Sequence, residues 1–146
     1  MQRRFSREPC WNEITPALWI GRRAIARELP PGIDLVIDLT AEFPEPRRIR
    51  SGRPYFCLPI LDGSVPPENE LRELVERIVS CPGNVFMHCA LGHNRSALVA
   101  AAVLLRRGLA VDVKQAVSQL RRVRPAIRLR SEQRRCLERF LATVPK

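Results

Sequence analysis

Residues 85 to 105 constrain what this chain can fold into more than any other stretch. Val85-Phe86-Met87-His88 reads as the end of a buried strand, because a β-branched and an aromatic residue open it. Cys89 to Ser96 is more polar and contains Gly92. Ala97 to Leu105 is then apolar without a break, and its alanines suit a helix buried on every side. The unit is strand, tight loop, helix. A loop that winds directly into a helix N-terminus can aim its backbone amides at one centre, and the helix dipole adds positive potential there. Arg95, at the end of the loop, can give a bound phosphate a planar, bidentate fork. Cys89, at its start, shares the positive concavity, which favours the thiolate. A site that holds phosphate beside an ionised sulfur can attack the phosphorus it holds.

His88, Cys89, five further residues, Arg95 and Ser96 resemble the signature of the cysteine-dependent protein tyrosine phosphatase superfamily, in particular its compact dual-specificity branch. Ile14 to Gly21 resembles the opening strand of that branch, Leu58 to Asp62 its general-acid loop, and Arg124-Pro125 the segment before its last helix. The likeness covers about residues 12 to 142. It implies an α/β fold with four or five strands.

The resemblance and the chemistry together assign roles. Cys89 is the nucleophile, and a phosphocysteine splits one hard displacement into two. Arg95 holds two equatorial oxygens and stabilises the charge that moves with the phosphoryl group. Ala90, Leu91, Gly92, His93 and Asn94 supply amides to the cradle, with Gly92 permitting a positive φ or a close approach. His93 is a polar rim when neutral and a cation over an acidic substrate when protonated. Ser96 donates its hydroxyl to the Cys89 thiolate or caps the helix, and the two are compatible. His88 is read as a buried support bonded to loop backbone, since an anionic thiolate needs no general base. The resemblance makes Asp62 the general acid, which afterwards activates water. Asp62-Gly63-Ser64 is also an ordinary turn. Asp38 and Glu42 are rival carboxylates, although Asp38 lies within an apolar run and looks structural. Such a mechanism requires a bell-shaped pH–rate profile. It also requires a curled loop whose sulfur is open to solvent. No metal-ligand spacing occurs, so neither metal nor cofactor is expected.

The chain of 146 residues fits one domain, read as an N-terminal arm over 1–11 and a phosphatase domain over 12–146. The arm is expected to pack by Phe5 and Trp11. Leu18 to Ile20 reads as a short edge strand, Arg22 to Leu29 as a short helix, and Leu35 to Leu39 as a buried strand. Thr40 to Ser51 reads as a loop whose Arg47, Arg48 and Arg50 either wall the pocket or face water. Tyr55 to Leu58 is a strand that Pro59 ends. A helix capped by Ser64 or Val65 follows, burying Leu71, Leu74, Val75, Ile78 and Val79. Gly108 is the expected C-cap of the apolar helix. Two more helices follow, one burying Val113, Ala116, Val117 and Leu120, the other capped by Ser131 and burying Leu137, Phe140 and Leu141. Alternating strands and helices make the fold α/β, a mostly parallel central sheet flanked by helices.

Net charge is +10, from 23 arginines and two lysines against 15 acids. Such a surface attracts anions, although arginine richness also arises from genomic base composition. Low aromatic content and the lack of nucleic-acid-binding patterns disfavour nucleic acid as a partner. The expected partner is a phosphorylated protein carrying phosphotyrosine, phosphoserine or phosphothreonine. The alternative is a phospholipid such as phosphatidylglycerophosphate or a phosphoinositide at an anionic membrane surface. The helix Ser96-Ala97-Leu98-Val99-Ala100-Ala101 resembles that of the phosphatidylglycerophosphate phosphatases, whereas the lysines that resembling phosphoinositide enzymes often carry in the loop are absent here. RNA 5′-triphosphate ends and a non-catalytic phosphate-binding module remain as further readings. No signal peptide or spanning segment is legible, and five cysteines without metal-like pairing point to the reducing cytoplasm. Cys10, Cys57 or Cys81 could shield Cys89 as a disulfide under oxidation, while Cys57 and Cys136 read as small buried apolar side chains.

Overall fold

A run of nine apolar residues leaves a helix no face for water, and a computed structural model, which describes residues 8–22, 29–40 and 54–145, puts that helix at the centre of the molecule. Five strands form one sheet: β1 (Trp11–Thr15), β2 (Leu18–Arg22), β3 (Ile33–Thr40), β4 (Tyr55–Ile60) and β5 (Asn84–Cys89). Among the described residues there are four helices: α1 (Glu68–Ser80), α2 (Arg95–Arg106), α3 (Val113–Val123) and α4 (Ser131–Thr143). The sheet order is β1-β2-β5-β3-β4, parallel except for the β1–β2 pair.

Residues 97 to 105 of α2 are all buried, and α1, α3 and α4 each pack against it. Each fully buried leucine there contributes about 1.5–3 kcal/mol. Helix α1 turns Leu71, Leu74, Val75 and Ile78 inward, with Val79 only half-buried. Helix α3 buries Val113, Ala116, Val117 and Leu120, the four expected positions. Leu137 and Phe140 of α4 are buried, joined by Gln133 and Cys136, while Leu141 is half-buried.

Several local expectations need correction. Trp11 opens β1 rather than ending an irregular arm, and β1 takes the sheet edge, so β2 is internal instead of an edge strand. Pro59 does not stop its strand: β4 runs on to Ile60, because β4 is the other edge and a register shift lies beside the proline. Pro67 stands at the N-cap of α1 in place of Ser64 or Val65. Ser131 is the first helical residue of α4, after Arg130, whose N–H is taken by the Gln133 side chain. Gly108 does end α2 as expected, at φ 71° just after Arg107, and the Leu109 amide closes the turn on Leu104 O. Cys57 is exposed, unlike Cys136, whose thiol burial pushes up from its ordinary value. Phe5, the helix expected after Arg22, Glu42 and the arginine loop lie outside the described residues.

β5 lies between β2 and β3, which neighbour each other in sequence but not in the sheet. Register pairs Arg22 with Cys89 and Asp38 with His88, so the carboxyl ends of the three strands are level. Crevices at such crossing points, beyond strand carboxyl ends, are where open α/β sheets bind ligands. Cys89 is the last residue of the central strand.

Candidate active site

The loop between β5 and α2 curls. The Gly92 amide donates to Cys89 Sγ at 3.2 Å, which turns the chain back over the sulfur. Gly92 has φ +76°, and a Cβ there would stand 2.5 Å from the Gly21 carbonyl carbon. Only glycine fits both the dihedral and the contact.

The direction of the loop amides follows from where its carbonyls are held. Arg124 Nη2 donates to Leu91 O at 2.8 Å and its Nε to Gly92 O at 3.2 Å. The Arg128 amide donates to His93 O at 2.9 Å. In a trans peptide the N–H of the next residue points opposite to the carbonyl. Carbonyls drawn outward at 91, 92 and 93 therefore turn the amides of Gly92, His93 and Asn94 inward. The Gly92 amide on Cys89 Sγ agrees with this, and no cis peptide interrupts the described chain. The result is a concave row of donors leading into the N-terminus of α2.

Arg124 is therefore a positioning residue that sequence reasoning missed, having noted it only as part of a segment. It is 1 % exposed, and Nη1 also reaches Pro9 O and Asn12 Oδ1 at 2.8 Å. Burial pushes its guanidinium below the ordinary value, and Glu8, then Cys89, push it back up. Glu8 Oε1 lies 3.3 Å from its Nε, and Glu8 Oε2 lies 2.5 Å from His93 Nε2. His93 is part-exposed and meets a carboxylate of the N-terminal segment. An arginine before a proline carries no periodic signal of this role.

Gln133 is the second residue missed. Its buried amide bonds both ways with Asn94, at 2.6 and 2.8 Å. It also donates to Ser64 O at 3.3 Å and accepts from the Arg130 amide at 2.9 Å. One side chain thereby ties the loop, the turn after Asp62 and the start of α4. Asn94 is the N-cap of α2, yet its side chain also bonds Arg128 O, at 2.8 Å, instead of its own helix.

The residues singled out from the sequence converge. Ser96 Oγ lies 3.3 Å from Cys89 Sγ, within range to donate to a thiolate. Arg95, 2 % exposed, donates from Nη1 to Ile60 O at 2.8 Å, and its Nε is 4.0 Å from Asp62 Oδ1. Asp62 is 73 % exposed on its turn, free to meet a leaving group. The sulfur is not open to solvent, contrary to the expectation from the sequence: Cys89 is only 2 % exposed, because the curled loop and Ser96 pack around it. It lies at the floor of the donor row rather than open on its wall. Asp38 belongs to the framework, taking hydrogen bonds from the Thr40 amide and hydroxyl and from Tyr55 OH. His88 is fully buried and stacks on Phe86, with its Nε2 4.0 Å from Asp38 Oδ1 of β3.

A curled donor row with a thiol on its floor, a buried guanidinium and an exposed carboxylate suits in-line attack on a phosphate monoester. Comparison with known proteins points the same way. The model of the dual specificity phosphatase catalytic domain matches residues 26–141. The crystal structure of Tk-PTP in the active form superposes with a TM-score of 0.80 at 27 % identity, covering 93 % of this chain and 99 % of that one. That of PTPMT1 in complex with PI(5)P has a TM-score of 0.78 at 19 % identity, covering 92 % and 96 %, a likeness of fold. Cyclin-dependent kinase inhibitor 3 of Rattus norvegicus is 38 % identical over 69 residues, which span 45 % of this chain and 32 % of that protein. The match thus takes in about a third of that curated relative's length. A family model that spans most of the chain, on a fold with the cysteine at the carboxyl end of its central strand, means that this protein belongs to the dual specificity phosphatases of the cysteine-dependent protein tyrosine phosphatase superfamily.

Proposed function

We propose that the protein hydrolyses phosphate monoesters on phosphotyrosine and phosphoserine or phosphothreonine proteins, through a phosphocysteine. The observation that carries this reading is the outward anchoring of the carbonyls at 91 to 93, which leaves three amides facing the Cys89 side of the loop. Cys89 Sγ attacks phosphorus and the P–O bond to the leaving group breaks. Asp62 protonates the departing oxygen. Asp62 then takes a proton from water, which attacks the phosphocysteine and releases phosphate and the thiolate, assisted by Ser96. Arg95 and the loop amides bind the three equatorial oxygens throughout. A reducing compartment such as the cytoplasm suits the free thiol.

Replacing Asp62 with alanine is expected to slow a poor leaving group by about 10²–10⁴-fold and an activated aryl phosphate much less. An equal loss on both, or none on either, would place the acid elsewhere.

A second reading has its own observation. Leu61, beside the acid, and Leu91, in the loop, are 68 % and 62 % exposed. Two apolar tips near one mouth suit a lipid surface. Turnover of phosphotyrosine and phosphothreonine peptides, phosphatidylglycerophosphate, phosphoinositides and triphosphate-ended RNA, by the wild type and by Cys89→Ser, decides between them. Cysteine-dependent turnover of peptides above the rest is expected. Turnover confined to a lipid would replace the protein reading.

A further inference from the structure

An open groove of about 560 Å³ lies along the outer side of α3, at the start of α4. Lys114, Ser118, Arg121, Arg122 and Arg134 line it, and among the described residues no carboxylate does. The α3 residues follow the spacing i, i+4, i+7, i+8, so they share one helix face. None of the four cations is in an ion pair with a described carboxylate. Elsewhere the chain does pair its arginines, Arg106 with Glu76 and Arg139 with Glu68. Like charges gathered round a concavity repel one another, and its walls concentrate their field. A bound anion relieves both.

The first turn of α4 bears on both the groove and the acid turn. Arg134 donates its amide to Arg130 O at 3.0 Å, so the two lie about one helical turn apart, about 6 Å along the axis. The Arg130 guanidinium covers Gly63, where an added Cβ would stand 2.6 Å from its Cζ. Gly63 follows Asp62. The cations therefore run from the acid turn through Arg130 and Arg134 into the groove.

We propose that this track binds an acidic stretch of a phosphorylated protein substrate while the phosphoresidue sits over Cys89. The inference rests on the protein-substrate reading above. A concavity fits an extended chain better than a flat bilayer, and the exposed leucines of the mouth, Leu61 and Leu91, do not line it. An extended chain advances about 3.3 Å per residue, so acids three to six residues from the phosphoresidue sample a span of about 10–20 Å from it.

The test compares phosphotyrosine peptides carrying glutamate or glutamine at those positions, with para-nitrophenyl phosphate as the control. Wild type is expected to favour the glutamate peptide by about tenfold in kcat/KM, the scale of a few exposed ion pairs, and to lose the preference at high salt. The triple variant Arg121→Gln/Arg122→Gln/Arg134→Gln is expected to erase the preference through KM and leave the aryl phosphate rate unchanged. If the triple variant loses that control rate as well, the single variants Arg121→Gln and Arg134→Gln serve instead, each expected to remove two- to threefold of the preference. No preference in the wild type, or one that survives the substitutions, overturns the inference alone. So does a variant that keeps the preference but loses binding to phosphatidylserine vesicles or to an oligonucleotide. A wild type that cleaves no phosphopeptide overturns the protein-substrate reading, and the inference with it.

Discussion

Exchanging Cys89 for serine is expected to lower aryl phosphate turnover by about 10⁴–10⁶-fold, the scale seen when a covalent nucleophile is removed. The fold should survive. Cys89 ends β5 with its side chain against the Gly92 amide and Ser96 Oγ, and a serine hydroxyl can still accept from the one and pair with the other. The difference is chemical. A thiol is the more acidic and more nucleophilic group, whereas a serine hydroxyl needs a general base. In the proposed mechanism Asp62 serves the leaving group, and His88 is buried. The phosphate cradle is untouched, so a phosphopeptide should still bind, with an affinity measurable by calorimetry. Wild-type turnover by the serine variant would end the phosphocysteine mechanism.

Removing Arg124 is expected to have the largest effect on stability, about 3–5 kcal/mol for Arg124→Ala. The guanidinium bonds Leu91 O, Gly92 O, Pro9 O and Asn12 Oδ1 from a nearly inaccessible position. Truncation leaves buried acceptors without donors, at about 1–3 kcal/mol each and less than additively. The same loss frees the carbonyls that aim the amides, so kcat per folded molecule should fall by about 10²–10³-fold. Arg124→Lys keeps the charge, but one ammonium cannot span the same acceptors, and it should recover only part of either loss. Urea midpoints and kcat on an aryl phosphate test both claims. A destabilised variant with an unchanged rate would reduce Arg124 to a framework residue.

Much of the site was legible because it is local. Cys89, Gly92, Arg95 and Ser96 lie within eight consecutive residues, and the strand and helix on either side dictate how the loop between them runs. Asp62 was reached by resemblance alone, since an Asp-Gly turn has no local sign of the Arg95 guanidinium that approaches it. The expected helix N-caps failed for a related reason. Ser131 has the preferred residue type, but Gln133 already satisfies the Arg130 amide, and a cap is decided by which donor goes unmet. Likewise β2 reads as an edge strand until β1 pairs with it antiparallel, which alternation of side chains cannot announce.

The sequence by itself determined where each element lies and which face it buries, because hydrophobic periodicity reports a segment's own contact with the core. It also determined the cysteine-to-arginine loop, whose parts are chain neighbours. Only the tertiary structure decided how that loop is held: by Arg124, 32 and 33 residues away from the carbonyls it binds, by Gln133, and by Glu8 at the opposite end of the chain. The partner of a loop carbonyl depends on strand order and on which segments the packed helices bring beside it. Neither is written in the period or composition of the loop itself.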